Sequence, residues 1–196
     1  LRKDIGEDLQ LDGTGNSSKN ILGLAAAIDD GTNVSTYGQI SRTTFTNWGS
    51  QYSANGGVGR ALTMTLLNSM FGLCSKDNDK PDLIVTTRAI HSKYLELLQP
   101  HQRFASDSTL ASAGFNNILY MGRPVVVDDN VAANKLWFIN SNYLHLYVQG
   151  ARTFRFSGFQ MLPMQDAAVA KLLVSMQLIC DSPRMSWQLR DVDGAL

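Results

Sequence analysis

Short apolar segments with the composition of β-strands follow one another through the second half of the chain. They are "DLIVTT" at 82–87, "NILYMGRPVVVDD" at 117–129, "KLWFIN" at 135–140, "YLHLYV" at 143–148 and "TFRFSGF" at 153–159. Runs of β-branched and aromatic residues bounded by Gly, Pro, Asn or Asp are typical of strands. The second segment is predicted to break at 122–124, where "GRP" interrupts it. Apolar and polar residues alternate over 168–181, which predicts one long strand there.

Two amphipathic helices are predicted before and between these strands. The first covers 58–76, where apolar residues recur at helical spacing at Val58, Leu62, Leu66, Met70 and Leu73. The second covers 88–98, and its apolar residues on one side are Ile90, Tyr94 and Leu97. Thr87 is predicted to cap this second helix, and Pro100 to end it. Helices mixed with such strands predict an α+β fold.

The charge balance limits the classes of partner. Lys plus Arg and Asp plus Glu both number 17, which argues against a dedicated nucleic-acid-binding protein. Charged residues make up 17% of the chain, below the roughly 25% of ordinary soluble domains. We interpret this as a surface that meets other protein, where some scattered basic residues would pair across subunits. These are Lys80, Arg88, Arg103, Arg123, Arg152 and Arg155.

Two cysteines, Cys74 and Cys180, are too few for a disulfide framework, so reduced thiols are predicted. No apolar run approaches the eighteen or so residues that a membrane helix needs. The sequence predicts a protein that does not enter a membrane.

The glycine-rich stretch "LDGTGNSSKNILGL" at 11–24 raises the question of a phosphate-binding loop. Such a loop needs G-x-x-x-x-G-K-[ST] between a buried strand and a helix. Gly13 and Gly15 are too close together for it, and Lys19 precedes an asparagine. The stretch is therefore predicted to be a turn after a helix over 1–10, reversed at Gly13 and Gly15. Its core anchors are predicted to be Ile21, Leu22 and Leu24.

Catalytic and metal-binding candidates are few. His91, His101 and His145 match no metal-ligand spacing and are interpreted as structural. Asp128 and Asp129 follow an apolar segment, so a small α+β enzyme using them with a histidine is the alternative from another class. No nucleophile motif such as G-x-S-x-G is present. The sequence predicts no catalytic site, metal or cofactor.

Several segments, in order, resemble the major capsid proteins of tailed bacteriophages with the Hong Kong 97-like fold. "LDGTGNSSKNILGL" is similar to the family's "GDGTG…GL" segment after the long spine helix, and "NILYMGRPVVVDDNV" resembles its recurring "GxPVVV" strand. "GRALTMTLLNSMF…PDLIVTTRAIHSKYLELL" is similar to the family's helix, strand and next helix. "QDAAVAKLLVSMQLICDSPRMSWQLRDV" is similar to its last strands.

The resemblance implies an axial (A) domain and part of a peripheral (P) domain. The N-terminal arm, the extended E-loop and most of the spine helix are expected to have no counterpart here. The expected division is 1–30 for the end of the spine helix and the P-domain turn, 31–150 for the A domain and 151–196 for C-terminal P-domain strands. Loops near the capsomer axis are expected from 99–116 and 128–135, and contacts between capsomers from 1–24 and 160–196.

The function that the resemblance implies is structural. Copies of the chain would form pentamers and hexamers of an icosahedral virion shell around phage or prophage DNA, after assembly in the bacterial cytoplasm. A scaffold or maturation protease would act on the full-length protein, and contact with DNA would be non-specific. The sequence leaves open an encapsulin or gene transfer agent. Lys171 lies at or near the position of the family's crosslinking Asn, so covalent crosslinking is not expected.

Overall fold

The helices come from the first half of the chain. The computed structural model describes residues 2–102, 118–161, 163 and 166–194, and the predictions for Arg103 and most of the loop 99–116 lie outside them. The helices are α1 Arg2–Gln10, α2 Gly15–Ser18, α3 Leu24–Ala27, α4 Met64–Cys74 and α5 Arg88–Gln102. Among the described residues, no helix has the length and hydropathy that a transmembrane span requires.

Strands dominate the rest of the described chain. They are β1 Thr36–Tyr37, β2 Ile40–Ser41, β3 Gln51–Ser53, β4 Arg60–Ala61, β5 Leu83–Thr86, β6 Leu119–Tyr120, β7 Arg123–Val127, β8 Leu136–Ile139, β9 Leu144–Val148, β10 Arg155–Met161, β11 Ala168–Leu173, β12 Met176–Cys180, β13 Trp187–Leu189 and β14 Val192–Asp193. The prediction of an α+β fold is confirmed.

A six-stranded sheet in the order β3-β13-β8-β5-β7-β6 is the centre of the fold. The predicted segments at 82–87, 117–129 and 135–140 all contribute to it. Strand β13 comes from beyond residue 150, yet it lies between β3 and β8, so the sheet draws on both sides of the expected domain boundary. That boundary remains a prediction.

Both faces of the sheet are covered, which explains why β8 is apolar at every position. Leu136 and Phe138 pack in one buried cluster with residues of α4 and α5. Trp137 and Ile139 point the other way, into a second cluster that contains all of α3. The alternation of side chains along a strand thus divides the core into two layers.

The helix predicted to start at 58 begins later. Residues Arg60–Ala61 pair instead with Val192–Asp193 in parallel, and α4 starts after Thr63, whose hydroxyl accepts a hydrogen bond from the Leu66 amide at 3.2 Å. Val58 and Leu73 are exposed, so the predicted apolar face was wrong at both ends. The buried face of α4 consists of Leu67, Met70, Phe71 and Cys74.

The second helix confirms its predicted apolar side and corrects its predicted end. Ile90 and Tyr94 are buried against the sheet, and Leu97 packs beside them. The Thr87 carbonyl accepts from the His91 amide at 3.0 Å. Helix α5 continues to Gln102, so Pro100 lies in the last turn and does not end it.

Strand pairing explains two further corrections. The break predicted at 122–124 falls on Met121 and Gly122, which both have positive φ and form the turn between β6 and β7. The single strand predicted over 168–181 is two strands, β11 and β12, in different sheets. The break lies at Ser175, whose backbone bonds to Gln149 and Arg152 at the two ends of a helical turn between β9 and β10.

The glycine-rich turn is confirmed at Gly13, whose φ is +80°. Gly15 was predicted to share this role, but the left-handed residues are the three that follow it, with φ between 50° and 60°. Leu24 is buried as predicted, whereas Leu22 is exposed because it closes over Gly13 at the surface.

Asp191 holds the loop 54–59 against the last strand. Its carboxylate accepts hydrogen bonds from the amides of Asn55 at 2.7 Å and Gly57 at 3.0 Å. These bonds favour the charged carboxylate and lower the pKa of Asp191 below its ordinary value of 3.8.

We therefore expect Asp191→Asn to lower the melting temperature near neutral pH. A depressed pKa adds stability above the ordinary value of 3.8, and this stability disappears as the pH falls through the lower folded-state pKa. Thermal unfolding of both proteins across the acidic range should show the difference shrinking below pH 3.8. A difference that stays constant down to the lowest measurable pH would contradict this account.

Candidate functional site

The strands β9 to β12 form a long two-stranded ribbon that leaves the core. At its base, β9 pairs with β12, and Cys180, Leu144 and Leu178 pack into the second buried cluster. The Tyr37 hydroxyl anchors it by accepting from the Cys180 amide at 2.9 Å. Beyond a break in the pairing, β10 and β11 continue as a separate antiparallel pair.

A β-bulge at Gly158 determines which side chains share a face at the outer end of the ribbon. The pairing shifts between Phe156 and Phe159, and Gly158 takes a φ of +76°. Phe156 lies opposite Leu172, Phe159 opposite Ala170 and Met161 opposite Ala168. Because alternate residues of β11 share a face, their three partners share it too.

This apolar ribbon face consists of Phe156, Phe159, Met161, Ala168, Ala170 and Leu172. The exposed fractions are 56% for Phe156, 78% for Phe159, 75% for Met161 and 47% for Leu172. The two phenylalanine rings meet edge to face at 5.6 Å. Since large aromatic side chains offer roughly 150–250 Å² each, the exposed area is on the order of 500 Å².

The opposite face of the ribbon combines charged, polar and apolar side chains. It carries Arg155, Gln160, Val169, Lys171 and Leu173. A two-stranded ribbon is marginally stable in water by itself, and apolar patches of this size on soluble proteins commonly mark an interaction site. The apolar ribbon face is therefore the strongest candidate functional surface among the described residues.

A second apolar surface surrounds Trp48. The Trp48 depression is a pair of adjoining hollows of about 360 and 420 Å³ that share this residue. The Trp48 indole donates to the Tyr37 carbonyl at 2.9 Å, which fixes the ring. Apolar residues on its walls include Leu22, Ile40, Phe45 and Ile179, all of them exposed.

The carboxylates considered for catalysis have structural partners. Asp128 accepts hydrogen bonds from the Gln10 amide group and from both nitrogens of Asn130, all at 2.9 Å. Asp129 forms a surface ion pair with Arg88 at 3.6 Å. Asp128 thus closes a turn against α1, and neither carboxylate lines the Trp48 depression.

The two histidines whose side chains are described, His91 and His145, lie on different elements. His145 on β9 pairs with Asp181 at 3.0 Å, beside the base of the ribbon. Burial, followed by the nearby Arg88 charge, lowers the pKa of His91 on α5. The side chain of His101 lies outside the described residues. The described residues contain no cluster of three or more His, Cys, Asp or Glu placed to hold a metal ion.

No protein-family model matches the chain, and no curated protein matches its sequence. A solved structure does match: a chain of the cyanophage A-1(L) capsid asymmetric unit, with a TM-score of 0.73 and 23% identity over 97% of this chain. The fold is that of a phage capsid chain. The predicted resemblance is thereby confirmed at the level of the fold. The match spans 66% of the length of the cyanophage chain.

A virus-like particle from Pyrococcus furiosus overlaps less closely. Its TM-score is 0.40 at 15% identity, over 70% of this chain and 56% of the particle's chain. An overlap of this extent adds nothing to the assignment of the fold.

Proposed function

We propose that this chain is a structural capsid protein whose copies associate into a shell. The observation that carries the proposal is the fold, shared over 97% of the chain with a cyanophage capsid chain. The apolar ribbon face supports it, because a shell subunit needs apolar surface that only its neighbours cover. The chain acts by association and performs no catalysis in this proposal.

The finer arrangement is also a proposal. Pentamers and hexamers form by cyclic contacts, with 31–150 as the axial domain and 128–135 among the loops near the capsomer axis. The segments 1–24 and 160–196 provide contacts between capsomers. The shell is a virion shell assembled in the bacterial cytoplasm and encloses DNA without sequence readout, which a chain with equal numbers of acidic and basic residues permits.

Sedimentation velocity combined with negative-stain electron microscopy tests the proposal. We expect the 196-residue chain to show concentration-dependent association, and microscopy to show rings or curved sheets. Closed shells are not required for the proposal to hold. A chain that remains monomeric up to high micromolar concentration at low salt would overturn the proposed function.

A further inference from the structure

We propose that the apolar ribbon face of one chain docks into the Trp48 depression of a second copy of the same chain. The inference rests on the proposed function and identifies the surfaces that it would use. Both surfaces are apolar and exposed, and within the described residues no other segment of the chain covers them.

The size of the apolar ribbon face favours a folded protein as the occupant. A standard protein–protein interface buries about 800 Å² on each partner. The ribbon face offers on the order of 500 Å² of apolar side chain, which is most of one such side. A peptide or small molecule would leave much of it in water, whereas the flank of another chain would cover it.

The ribbon cannot fill the depression of its own chain. Gln177, Ile179 and Asp181, at the base of the ribbon, form one wall of the depression. Ala170, which lies opposite Phe159, is nine residues before Ile179 in the sequence, in the neighbouring strand β11. At about 3.3 Å per extended residue, these nine residues span up to about 30 Å. The projecting surface and the receiving surface therefore belong to opposite ends of one ribbon.

A contact between two ribbon faces is the competing arrangement. It would close a two-fold dimer and leave the Trp48 depression uncovered in both chains. Docking of the ribbon into the depression covers both surfaces with one contact. Phe159 is the most exposed aromatic side chain of the ribbon face, and the Trp48 depression is a shallow apolar hollow that could receive it. A contact of this head-to-tail kind repeats from chain to chain and builds rings where the rotation between copies closes, as the proposed function requires.

Disulfide trapping between two variants that each carry one added cysteine tests the contact. Phe159→Cys and Phe45→Cys change side chains that are 78% and 61% exposed, so both variants should fold. The native Cys74 and Cys180 are buried, and burial raises the pKa of their thiols to about 12 and about 11, so they remain unreactive near neutral pH. An equimolar mixture of the variants should form a covalent dimer under mild oxidation.

Lys171→Cys is the matched control, because it lies on the opposite face of the same ribbon. Mixed with Phe45→Cys, it should give little covalent dimer. Phe159→Asp in the otherwise natural chain should weaken self-association by about 30-fold or more, as expected for a central aromatic contact. Lys171→Glu should change it little.

The outcomes separate the two proposals. If the natural chain and the mixed cysteine variants both associate but the Phe159→Cys and Phe45→Cys pair does not crosslink, the docking is wrong and the proposed function stands. If the mixed cysteine variants no longer associate, the comparison of Phe159→Asp with Lys171→Glu decides, and equal self-association of these two variants shows that the docking is wrong. If Phe159→Cys alone forms the covalent dimer as fast as the mixture, ribbon faces meet each other and the docking is again wrong. If the natural chain does not associate at all, both proposals fail.

Discussion

Gly23→Ala is expected to destabilise the chain severely. A β-carbon at this position would lie 2.4 Å from the carbonyl oxygen of Leu9, 2.5 Å from that of Asp8 and 2.6 Å from that of Leu11. All three are backbone atoms at or just beyond the end of α1, so no side chain can rotate away. Relief requires α1 to separate from the start of α3, at a cost of about 4 kcal/mol or more in the free energy of unfolding. That is a large part of the roughly 5–15 kcal/mol that stabilises a typical domain.

Gly72→Ala is the matched control for this substitution. Gly72 lies on the exposed side of α4, and a β-carbon there would meet nothing within 4 Å. Alanine in a helix interior is favoured over glycine by about 0.5–1 kcal/mol, so this variant should be slightly more stable than the natural chain. Urea unfolding followed by circular dichroism measures both changes. Equal stability of the Gly23→Ala variant and the natural chain would show that α1 does not pack at Gly23 as described.

The Gly23 contact also concerns the proposed docking surface. Leu22, its neighbour, lies on the wall of the Trp48 depression, and Leu24 starts the helix behind it. Any shift of α1 relative to α3 should displace Leu22 as well. A partly folded Gly23→Ala variant should therefore lose self-association at concentrations where the natural chain associates.

The central sheet could be predicted from the sequence because its main strands have a recognisable local sequence pattern. Segments such as 83–86 and 136–139 are buried on both faces, so they are apolar without interruption and short. The burial of Ile90 and Tyr94 could also be predicted, because the residues of a helix that face the core recur with the helical period of about 3.6 residues.

The errors arose where partners distant in the sequence decide the structure. Residues Arg60–Ala61 continue a helical pattern, yet they pair with Val192–Asp193 from the far end of the chain. Alternation over 168–181 correctly indicates extended backbone, but it carries no information about which strand each half pairs with. The break faces the helical turn Gly150–Arg152 between β9 and β10, and no residue of 168–181 encodes this turn.

The candidate site was missed for a related reason. A strict alternation places Phe156 and Phe159 on opposite faces, because they are three residues apart. The bulge at Gly158 adds one residue and returns Phe159 to the face of Phe156. A glycine inside an aromatic strand is the one sequence signal that could have indicated this. The Trp48 depression joins loops and strands far apart in the sequence, so no local pattern describes it.

Arg42→Met is expected to destabilise the chain by about 3–5 kcal/mol. Arg42 is buried, and its guanidinium donates to the carbonyl oxygens of Ala26 at 2.9 Å, Ala27 at 2.7 Å and Val34 at 2.9 Å. Two of these carbonyls belong to the end of α3, where a helix leaves its last acceptors without partners. Methionine fills similar space but leaves the two buried carbonyls of Ala26 and Ala27, and the half-buried carbonyl of Val34, without this donor.

Arg42 stays charged in the interior because its surroundings oppose the lowering of its pKa by burial. Burial lowers the pKa of the guanidinium, while the neighbouring Asp29 carboxylate raises it. Asp29 is itself buried. Its carboxylate accepts hydrogen bonds from the amides of Gly31, Asn33 and Val34 and so fixes the loop that follows α3. Arg42→Lys should recover only part of the lost stability, since a single ammonium cannot span three carbonyls as a planar guanidinium does.

Arg88→Met is the matched control for Arg42→Met, because it removes an exposed arginine where the other variant removes a buried one. Arg88 pairs with Asp129 at 3.6 Å, but both side chains are 78% exposed, and exposed ion pairs contribute at most about 1 kcal/mol. Urea unfolding of both methionine variants should therefore separate them by at least about 2 kcal/mol. Similar stabilities for the two would mean that the carbonyls around Arg42 find other donors, and that Arg42 does not cap α3. A large loss at Arg42 alone would establish it as the residue that joins α3 to the hairpin of β1 and β2, which borders the Trp48 depression.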